Sequence, residues 1–556
     1  LPSETTPLMV GGRLYLSSPY GEIVALSPET GAPLWRYRLP GNSPPSLRGV
    51  AYWPGDGEAK PAIIFGDRAG SLFSLDAATG EPVAGFGDHG IVNLKTVEIL
   101  NGAPAEGFRG SVGLTSPPAI AGNVIVTGSS VQESPAKGPA GDIRGWDART
   151  GKLLWTFHTV PRPGEPGHET WEGDSWKQRS GVNAWDLLTV DAERSIVFAP
   201  VGTATWDRYG GDRHGDNLYA TSLVALDTKT GKLLWHFQAV HHDIWDYDVS
   251  SPPTLVEVKR DGRMIPAVVL VSKTGLMYIF DRRDGTPLYD IEERPVPPSD
   301  VPEEKVSPTQ PFPVTPPPLA RMTVNAGQLS RVTPEHEAFC RKLVEDNNIL
   351  LGGPFLPHAL NRVTVTFPGT LGGVNWGGGA FDSGQGYYIV NVLNLGQMQS
   401  MVPTGMTGPD VLPYRMGMPT GRFWDNSTRM PCQEGPWGEL MAVDVNNGRI
   451  AWRTTLGLTT TLPADKQLTG RPSMGGPTIT ASGLVFIGAT DDNRFRAFDA
   501  RNGRQLFEVE LAASAHAVPM TYMGQDGKQY VVITSTGGTF LGSPLTDDSV
   551  TAFALP

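Results

Sequence analysis

The sequence predicts an all-β fold made of many short strands, and two observations support this prediction. The chain of 556 residues contains 67 glycines and 50 prolines, and turn formers in that number are typical of short strands joined by tight loops. The second observation is a recurring segment in which an alternating strand ends at Asp or Ser, turns at a glycine and continues into a strand that carries tryptophan. Internal repeats of this kind indicate an array of similar small sheets.

Four copies of the segment are clear, and in each the tryptophan follows the turn glycine by four residues. The copies are GEIVALSPETGAPLWRYRLP, GDIRGWDARTGKLLWTFHTV, TSLVALDTKTGKLLWHFQAV and GELMAVDVNNGRIAWRTTL, with the pairs Gly31/Trp35, Gly151/Trp155, Gly231/Trp235 and Gly448/Trp452. Degenerate copies end at Gly80, Gly285 and Gly503, and Tyr289 and Phe507 replace tryptophan in the last two. Glycine supplies the positive φ that the tight turn needs, and the indole can fill the gap between neighbouring sheets.

One small sheet of this kind cannot bury both of its faces, but copies stacked radially can, as in a β-propeller. Seven copies are legible, and the long interval after Gly285 is expected to contain one more that includes GQGYYIVNVLNLGQM. The final strand, DSVTAFALP, is expected to close a ring by pairing with N-terminal strands. The prediction is an eight-bladed β-propeller of four-stranded antiparallel sheets with tryptophan-docking repeats, forming a single domain over residues 1–556.

An insertion interrupts the repeats at about residues 293–350. Residues 295–318 contain ten prolines, too many for ladder strands, which indicates an extended surface segment. TPEHEAFCRKLVEDNN then predicts a short helix with Thr333 as N-cap and Pro334 at the first helical position. Cys340 and Cys432 are the two cysteines of the chain. They exclude a disulfide scaffold and a cysteine zinc site, and whether they form one bridge stays open.

Charge and motifs exclude several classes of function. The net charge of −12 argues against nucleic acid as a partner, because phosphate binding needs a basic face. No run approaches the roughly 18 consecutive apolar residues that a membrane-spanning helix needs. The sequence contains no G-x-G-x-x-G that follows a strand, no complete P-loop, no H-E-x-x-H and no G-x-S-x-G. Nicotinamide, P-loop and hydrolase-elbow chemistry are therefore disfavoured.

The densest polar cluster is HHDIWDYD, residues 241–248. One interpretation is a polar connection whose Asp side chains cap turns. The other is a carboxylate that serves as metal ligand and general base, with oxygen ligands selecting Ca²⁺ or Mg²⁺ and histidines favouring Zn²⁺ or Cu²⁺. His241 and His242 are adjacent, so on a strand they face opposite sides and cannot bind one ion together.

Several motifs, in order along nearly the whole chain, resemble the pyrroloquinoline quinone (PQQ)-dependent dehydrogenases. They are the Gly-to-Trp repeat, RGVAYWPGDG, GLTSPP, HHDIWDYD, VSKTGLMYIFDRRDG, GGVNWGG and PMTYMGQDGKQYVVI. The resemblance is strongest to the membrane-type branch that includes glucose, quinate and shikimate dehydrogenases. It implies an eight-bladed propeller with PQQ near its axis.

The resemblance also implies roles for individual residues. Asp246 matches the general base, which would take the alcohol proton while hydride passes to C5 of PQQ, and Lys273 matches the cation beside the quinone. One Ca²⁺ or Mg²⁺ would be bound by Glu133 in GSSVQES and by Thr205 in GTATWD, with Asp246 as a third ligand. Trp185 in GVNAWD matches the indole that stacks beneath the quinone. The expected polar contacts to PQQ are Glu4, Arg48, Thr115, Ser130, Lys273 and Asn375.

Departures from the family pattern narrow the substrate. Glucose-oxidising members carry histidines at the positions of Pro44 and Thr539 and an acidic residue at Asn375, while the methanol branch has adjacent cysteines at Asn42 and Ser43. The preferred substrate is therefore a secondary alcohol on a cyclic polyol or hydroxy acid, quinate or shikimate, with Lys177 or Arg179 expected to bind its carboxylate. The alternatives are a PQQ-dependent glucose or other polyol dehydrogenase and, more distantly, a non-catalytic propeller scaffold.

The resemblance implies electron transfer to ubiquinone and a location in the periplasm, attached to the inner membrane. The attachment is expected through an N-terminal segment or an anchor subunit outside this chain.

Overall fold

The computed structural model describes residues 3–106, 108, 110–406, 408, 411–538 and 541–555. Short antiparallel strands dominate these residues, and one α-helix is present among them. Most strands form eight sheets in which strands that follow one another along the chain pair antiparallel; six of these sheets have four strands and two have three. The prediction of an all-β protein with four-stranded antiparallel sheets is confirmed.

Sheets one to five follow in chain order, numbered as they occur. Sheet one contains β1 (Leu8–Val10), β2 (Arg13–Ser18), β3 (Glu22–Leu26) and β4 (Pro33–Arg38), and sheet two contains β5 (Ala51–Trp53), β6 (Ala62–Gly66), β7 (Ser71–Asp76) and β8 (Ile91–Asn93). The next six strands are β9 (Val112–Gly113), β10 (Ala119–Ala121), β11 (Val124–Thr127), β12 (Ser130–Val131), β13 (Ile143–Asp147) and β14 (Leu153–Phe157). Of these, β9 pairs with β12 and the other four form sheet three. Sheet four contains β15 (Thr189–Asp191), β16 (Ile196–Pro200), β17 (Ser222–Asp227) and β18 (Leu233–Gln238), and sheet five contains β19 (Thr254–Arg260), β20 (Arg263–Val271) and β21 (Met277–Asp281).

The second part of the chain contains an insertion and sheets six to eight. The insertion begins with β22 (Ile291–Pro295), β23 (Thr309–Pro313), α1 (Pro334–Asp346), β24 (Leu350–Leu351) and β25 (Thr364–Thr366). The strands that follow are β26 (Gly379–Asp382), β27 (Tyr387–Leu393), β28 (Gln397–Gln399), β29 (Met401–Pro403), β30 (Tyr414–Met416), β31 (Gly421–Arg422), β32 (Gly438–Asp444) and β33 (Arg449–Thr455). Sheet six is β26-β27-β32-β33. Sheet seven contains β34 (Thr478–Ile479), β35 (Leu484–Ile487), β36 (Arg494–Asp499) and β37 (Gln505–Glu510), and sheet eight contains β38 (Met520–Met523), β39 (Gln529–Gly538) and β40 (Ser543–Ala554). Short 3₁₀ turns span Pro40–Asn42, His168–Thr170, Ala326–Gln328 and Ala464–Lys466.

The repeat tryptophans contact the turn of the next sheet. The Trp35 indole donates to the Ala77 carbonyl at 3.2 Å, and a Cβ added at Gly80 would overlap the Trp35 ring. Trp155, Trp235 and Trp452 make the same two contacts with the turns at Gly231, Gly285 and Gly503. Glycine is therefore required in these turns by the neighbouring indole as well as by φ.

Aromatic side chains make the corresponding contacts where tryptophan is missing. The Tyr289 hydroxyl donates to the Val445 carbonyl in sheet six at 2.7 Å. The Tyr522 hydroxyl of sheet eight donates to the Pro28 carbonyl, at the turn that follows β3 in sheet one, at 2.6 Å. The first and last sheets are thus in direct contact.

Two sequence predictions about this arrangement are wrong. The segment GQGYYIVNVLNLGQM forms β27 in sheet six, the sheet of the Gly448 repeat, and does not form a sheet of its own. The eighth sheet is C-terminal, and β40 pairs with β39 and not with N-terminal strands. The interval instead holds an additional sheet, β24-β25-β28-β31, in which β24 and β25 are parallel. A single sequence shows strands but not their partners, which are set by tertiary packing.

The proline-rich segment contains a strand pair, which the proline count had argued against. In the β22–β23 hairpin, Pro311 and Pro313 lie opposite Glu293 and Ile291, at alternate positions of the register. A two-stranded ladder leaves alternate N–H groups unpaired, so proline at those positions costs no hydrogen bond. Phe312 between them is buried in a core cluster with Trp245.

Helix α1 begins at Pro334, and the Thr333 side chain accepts a hydrogen bond from the His336 N–H. Cys340 of this helix forms a disulfide with Cys432, with the two Cα atoms 5.3 Å apart. The bridge ties the insertion to the segment that precedes β32. No helix among the described residues is long and apolar enough to cross a membrane.

Candidate active site

One cavity of about 650 Å³ collects residues from widely separated parts of the chain. This volume lies within the range of typical small-molecule sites, roughly 300–1,000 Å³. All ten residues that the sequence singles out for the site line it: Glu4, Arg48, Thr115, Ser130, Glu133, Trp185, Thr205, Asp246, Lys273 and Asn375. Ser130 lies in β12 and Glu4 precedes β1, and the other eight lie in loops that connect strands, where side chains can converge on a common point.

A buried lysine joins two carboxylates at the floor of the cavity. The Lys273 Nζ lies 2.7 Å from Asp246 Oδ1 and 2.8 Å from Asp248 Oδ2. Lys273 follows β20, and its N–H donates to the Asp248 carbonyl at 3.1 Å. The backbone and side-chain contacts together fix the ammonium group between the two acids.

The polar segment 241–248 contains the capped turn of the first interpretation, and it also places one carboxylate, that of Asp246, at the cavity. Asp243 caps the turn, since its carboxylate accepts from the N–H groups of Trp245 and Tyr247, each at 2.8 Å. These bonds flank Asp246 and hold it at a φ of 62°, in the left-handed region that Asp tolerates better than most residues. Capping by one acid thus presents the next acid to the cavity.

The two histidines of this segment are structural. His241 Nδ1 contacts Gln238 Oε1 at 2.8 Å, and His242 Nδ1 contacts the Gly215 carbonyl at 2.7 Å. Burial lowers the pKa of His242 to about 3, so the ring stays neutral. Neither histidine is among the described residues that line the cavity.

Arg208 is a cavity residue that the sequence analysis missed. Its guanidinium lies 3.1 Å from Asp246 Oδ2 and 3.1 Å from Asp207 Oδ2. Burial raises the pKa of Asp246 to about 7, and Lys273 and Arg208 oppose that rise. Nothing in the spacing of TWDRYGG separates Arg208 from an ordinary solvated arginine. Only the folded structure, which places Arg208 beside Asp246, indicates a role for this arginine.

Three oxygen-bearing residues, Glu133, Thr205 and Asp246, could hold a divalent ion. Glu133 is exposed to solvent at the cavity that it lines. Partial desolvation raises the pKa of its carboxyl group, and the charges of Asp246 and Asp248 add to the rise. The Thr205 hydroxyl donates to the Gln132 carbonyl at 3.2 Å, which leaves its oxygen lone pairs free. A set of carboxylate and hydroxyl oxygen donors fits Ca²⁺ or Mg²⁺.

Aromatic and cationic groups also meet at the cavity, beside the buried lysine and its carboxylates, since the Trp185 indole donates to Asp248 Oδ2 at 3.2 Å. The Arg48 guanidinium carbon lies 5.0 Å from the Trp185 ring centroid and 5.2 Å from that of Trp376. The Thr115 hydroxyl donates to the Trp185 backbone carbonyl at 2.9 Å, and the indole itself is held by its hydrogen bond to Asp248. Flat rings beside a cation suit a planar anionic guest such as PQQ.

Two neighbouring groups refine this side of the cavity. Asn375 is held by its own loop, because its Nδ2 donates to the Leu371 carbonyl and its Oδ1 accepts from the Trp376 N–H, each at 2.7 Å. Trp376 was not singled out in the sequence. Its Nε1 is buried with no hydrogen-bond partner in the described part of the chain, so it is available to a guest.

The expected substrate cations, Lys177 and Arg179, are wrong. Lys177 pairs with Asp174 at 2.8 Å, Arg179 pairs with Asp212 at 2.8 Å, and neither lines the cavity that the described residues form. Proximity to Trp185 in sequence did not translate into proximity in space. The cavity-lining arginines outside the prediction are Arg68, Arg208 and Arg422.

The structure differs in what it shows for the three positions at which this chain departs from the glucose-oxidising members. Pro44 and Asn375 line the cavity. Thr539 lies outside the described residues.

Comparison with known proteins agrees with this geometry. The family model for the PQQ glucose/ethanol/alcohol dehydrogenase β-propeller domain matches residues 1–531. The chain is 34% identical to the quinate/shikimate dehydrogenase (quinone) of Acinetobacter baylyi, over 99% of this chain and 73% of that protein. It is 33% identical to the glycerol dehydrogenase large subunit of Gluconobacter oxydans, over 100% of this chain and 79% of that protein.

Two further proteins extend the comparison. The chain is 32% identical to quinoprotein glucose dehydrogenase A of Acinetobacter calcoaceticus, over 100% of this chain and 73% of that protein. Among solved structures, the quinohemoprotein alcohol dehydrogenase of Comamonas testosteroni has a similar fold, with a TM-score of 0.70 and 24% identity over 100% of this chain and 74% of that one. The chain therefore belongs to the PQQ-dependent quinoprotein dehydrogenases, oxidoreductases built on a β-propeller.

Proposed function

We propose that this protein oxidises a secondary alcohol on a cyclic polyol or hydroxy acid, with quinate or shikimate preferred. The cofactors of the proposed reaction are PQQ and one Ca²⁺ or Mg²⁺. The observation that carries the proposal is the convergence of ten motif residues from separate loops on one cavity, with the Lys273–Asp246 pair on its floor.

Asp246 is the proposed general base. Its Oδ2 takes the proton of the substrate hydroxyl, and a pKa of about 7 keeps the carboxylate able to accept and release that proton near neutral pH. Lys273, buried and held by two carboxylates, orients Asp246 and supplies a point charge where negative charge develops. PQQ, when bound, supplies a two-electron acceptor whose carbonyl the metal makes more electrophilic.

The proposed ligand sets follow the site's chemistry. Glu133, Thr205 and Asp246 provide oxygen donors for the metal, and Trp185 provides the platform beneath PQQ. Arg48 offers positive charge to the PQQ carboxylates, and Glu4, Thr115, Ser130 and Asn375 offer hydrogen bonds or hold those groups in position.

The choice of quinate or shikimate rests on two lines of support. A relative named for these substrates is 34% identical to this chain, and Asn375 lines the cavity where glucose-oxidising members carry an acid. Relatives named for glycerol and glucose are 33% and 32% identical, so a glucose or other polyol dehydrogenase is the second candidate. A non-catalytic scaffold is not proposed, because the chain belongs to an enzyme family.

We further propose that the eight sheets are the blades of an eight-bladed propeller, docked by the repeat tryptophans. The electron acceptor is proposed to be ubiquinone, and the location to be the periplasmic face of the inner membrane, reached through a segment or anchor subunit outside this chain. The contacts between Trp35 and the Gly80 turn, and between Tyr522 and Pro28, support the ring.

A substrate panel tests the proposal. The purified protein is incubated with PQQ and either Ca²⁺ or Mg²⁺, and reduction of a short-chain ubiquinone is measured with quinate, shikimate, glucose and glycerol. We expect the highest kcat/KM with quinate or shikimate, and no turnover without PQQ. Turnover of glucose or glycerol alone would overturn the substrate, and no turnover of any alcohol by the PQQ-loaded protein would overturn the function.

A further inference from the structure

Arg422 differs from the other partly or fully buried cations that line the cavity. Arg48 pairs with Glu4, Lys273 pairs with Asp246 and Asp248, and Arg208 pairs with Asp207 and Asp246. Arg422 forms no ion pair with any residue of the described ranges. Its Nη1 donates to two neutral acceptors, Gln397 Oε1 at 2.8 Å and Thr370 Oγ1 at 3.4 Å.

The location of Arg422 sets it apart as well. It ends β31 in the additional sheet β24-β25-β28-β31, which lies outside the eight repeated sheets. The neighbouring strand β28 carries Gln397, which lies opposite Arg422 in the register. Gln397 is itself buried. The additional sheet therefore places one arginine at the cavity and fixes its Nη1.

Among the described residues, no carboxylate is paired with the Arg422 guanidinium to offset the free energy lost when this cation is partly removed from water. Burial lowers the pKa of Arg422 to about 10, Asp246 opposes that change and Arg208 adds to it. The group remains charged at neutral pH. A partly desolvated guanidinium without a counter-ion gains most from an anion that can accept two hydrogen bonds. A carboxylate matches the planar fork of arginine in this way, whereas a neutral hydroxyl does not.

We infer that Arg422 is a specificity-determining residue that binds the carboxylate of the substrate and turns a ring hydroxyl toward Asp246. The inference rests on the proposed function and names its substrate class, a hydroxy acid instead of a neutral polyol. Arg48, stacked against Trp185 and Trp376, remains the cation for the cofactor. Arg422 thus binds the substrate carboxylate, and Arg48 binds the anionic cofactor.

Steady-state kinetics of the PQQ-loaded protein test this assignment in Arg422→Gln and Arg422→Lys. We expect the KM for quinate in Arg422→Gln to rise on the order of ten- to a hundredfold, the range for losing hydrogen bonds to a charged group. Arg422→Lys should be intermediate, because lysine keeps the charge without the fork. The kcat/KM for the neutral cis-cyclohexane-1,2-diol should stay unchanged.

Two further variants test whether the change in KM depends on the Arg422 guanidinium and not on the loss of any positive charge. Arg415→Gln removes the same charge from an exposed position on β30, in the same insertion, and should leave every constant unchanged. Gln397→Glu keeps Arg422 but places a carboxylate at its Nη1, so it should also raise the KM for quinate. An unchanged KM in both Arg422→Gln and Gln397→Glu would overturn the inference.

A binding measurement separates this inference from the proposed function and from a role of Arg422 in cofactor binding. Calorimetric titration of the PQQ-loaded protein with cyclohexanecarboxylate should show binding that Arg422→Gln loses, whereas cyclohexanecarboxamide should not bind. PQQ affinity, followed by quenching of tryptophan fluorescence, should be equal in Arg422→Gln and wild type. Equal binding of acid and amide, no binding of either, or a weakened PQQ affinity would overturn the inference even in a protein that oxidises no alcohol.

Discussion

Two clusters at the cavity contain the same kinds of residue but differ in the charge states of their carboxyl groups. The first cluster is Arg48 with Glu4 at 2.9 Å and Asp186 at 3.9 Å. The second is Lys273 with Asp246 at 2.7 Å and Asp248 at 2.8 Å. Each has one cation and two carboxyl groups, so composition alone would give them equal electrostatics.

Burial and hydrogen bonding make the two clusters different. In the Arg48 cluster burial dominates: it raises the pKa of Asp186 to about 8 and also raises that of Glu4. In the Lys273 cluster, burial acts on Asp248 as well, but Lys273, the Thr203 N–H and the Trp185 indole stabilise the carboxylate and lower its pKa. The Arg48 cluster therefore keeps positive charge for an anionic guest. The Lys273 cluster keeps one ionised carboxylate, Asp248, beside the proposed base Asp246, whose pKa burial raises to about 7.

The largest expected effect lies in the Lys273 cluster. Asp246→Asn removes the base without changing the shape of the side chain, and kcat should fall by about 10²–10⁴, the usual contribution of a general base. PQQ affinity, measured by quenching of tryptophan fluorescence, should change little. A near-normal kcat would remove Asp246 as the base and with it the contrast between the clusters.

Loss of the lysine should have the next largest effect. Lys273→Ala should lower kcat by about 10²–10³, the typical cost of removing one group that stabilises developing charge. Lys273→Arg should recover part of the rate, because it restores a cation between two carboxylates. Single-turnover rates in the two variants give the comparison. Equal rates for Ala and Arg would show that charge at this position does not contribute.

The Arg48 cluster should respond in binding and not in turnover. Arg48→Gln should raise the Kd of PQQ on the order of tenfold or more, since a charge-assisted hydrogen bond to an anion is lost. At saturating PQQ, kcat should remain close to wild type. A fall in kcat with unchanged PQQ affinity would reverse the roles that we assign to the two clusters.

The smallest effect is a shift of a pH profile. Asp246 must be ionised to act as a base, so kcat/KM should fall as pH decreases through its pKa, which is about 7 with the protein groups alone and is lowered by the bound cation. Arg208 holds this pKa down from 3.1 Å, so Arg208→Gln should move the inflection to higher pH by on the order of one unit, roughly 1.4 kcal/mol. A shift to lower pH, or none, would show that Arg208 does not act on Asp246.

The sequence predicted which motif residues meet at one cavity better than it predicted the other charged residues around them. The motif residues Glu133, Thr205, Asp246 and Lys273 lie in four different loops and line one cavity. Arg208 and Arg422 were not predicted as cavity residues. The sequence around a single arginine does not show whether the fold will place a carboxylate beside it or leave it without one.

The insertion shows the limit of pattern reasoning on the fold. Thr333 and Pro334 mark the start of α1 locally, so the helix could be predicted. The additional sheet could not, because β24, β25, β28 and β31 are two or three residues long and pair across distant parts of the chain. The prediction for Lys177 failed for a related reason. Lys177 pairs at the surface with Asp174, three residues earlier, and nothing in DSWKQ distinguishes that outcome from a substrate contact.

The most direct test of the central claim is a crystal structure of the protein loaded with PQQ and Ca²⁺. We expect PQQ to lie on the Trp185 indole, Ca²⁺ to lie within about 2.3–2.6 Å of oxygens of Glu133 and Asp246, and the Arg48 guanidinium to contact a PQQ carboxylate. PQQ bound away from Trp185, or a cavity in which Glu133 and Asp246 ligate no ion, would contradict this claim.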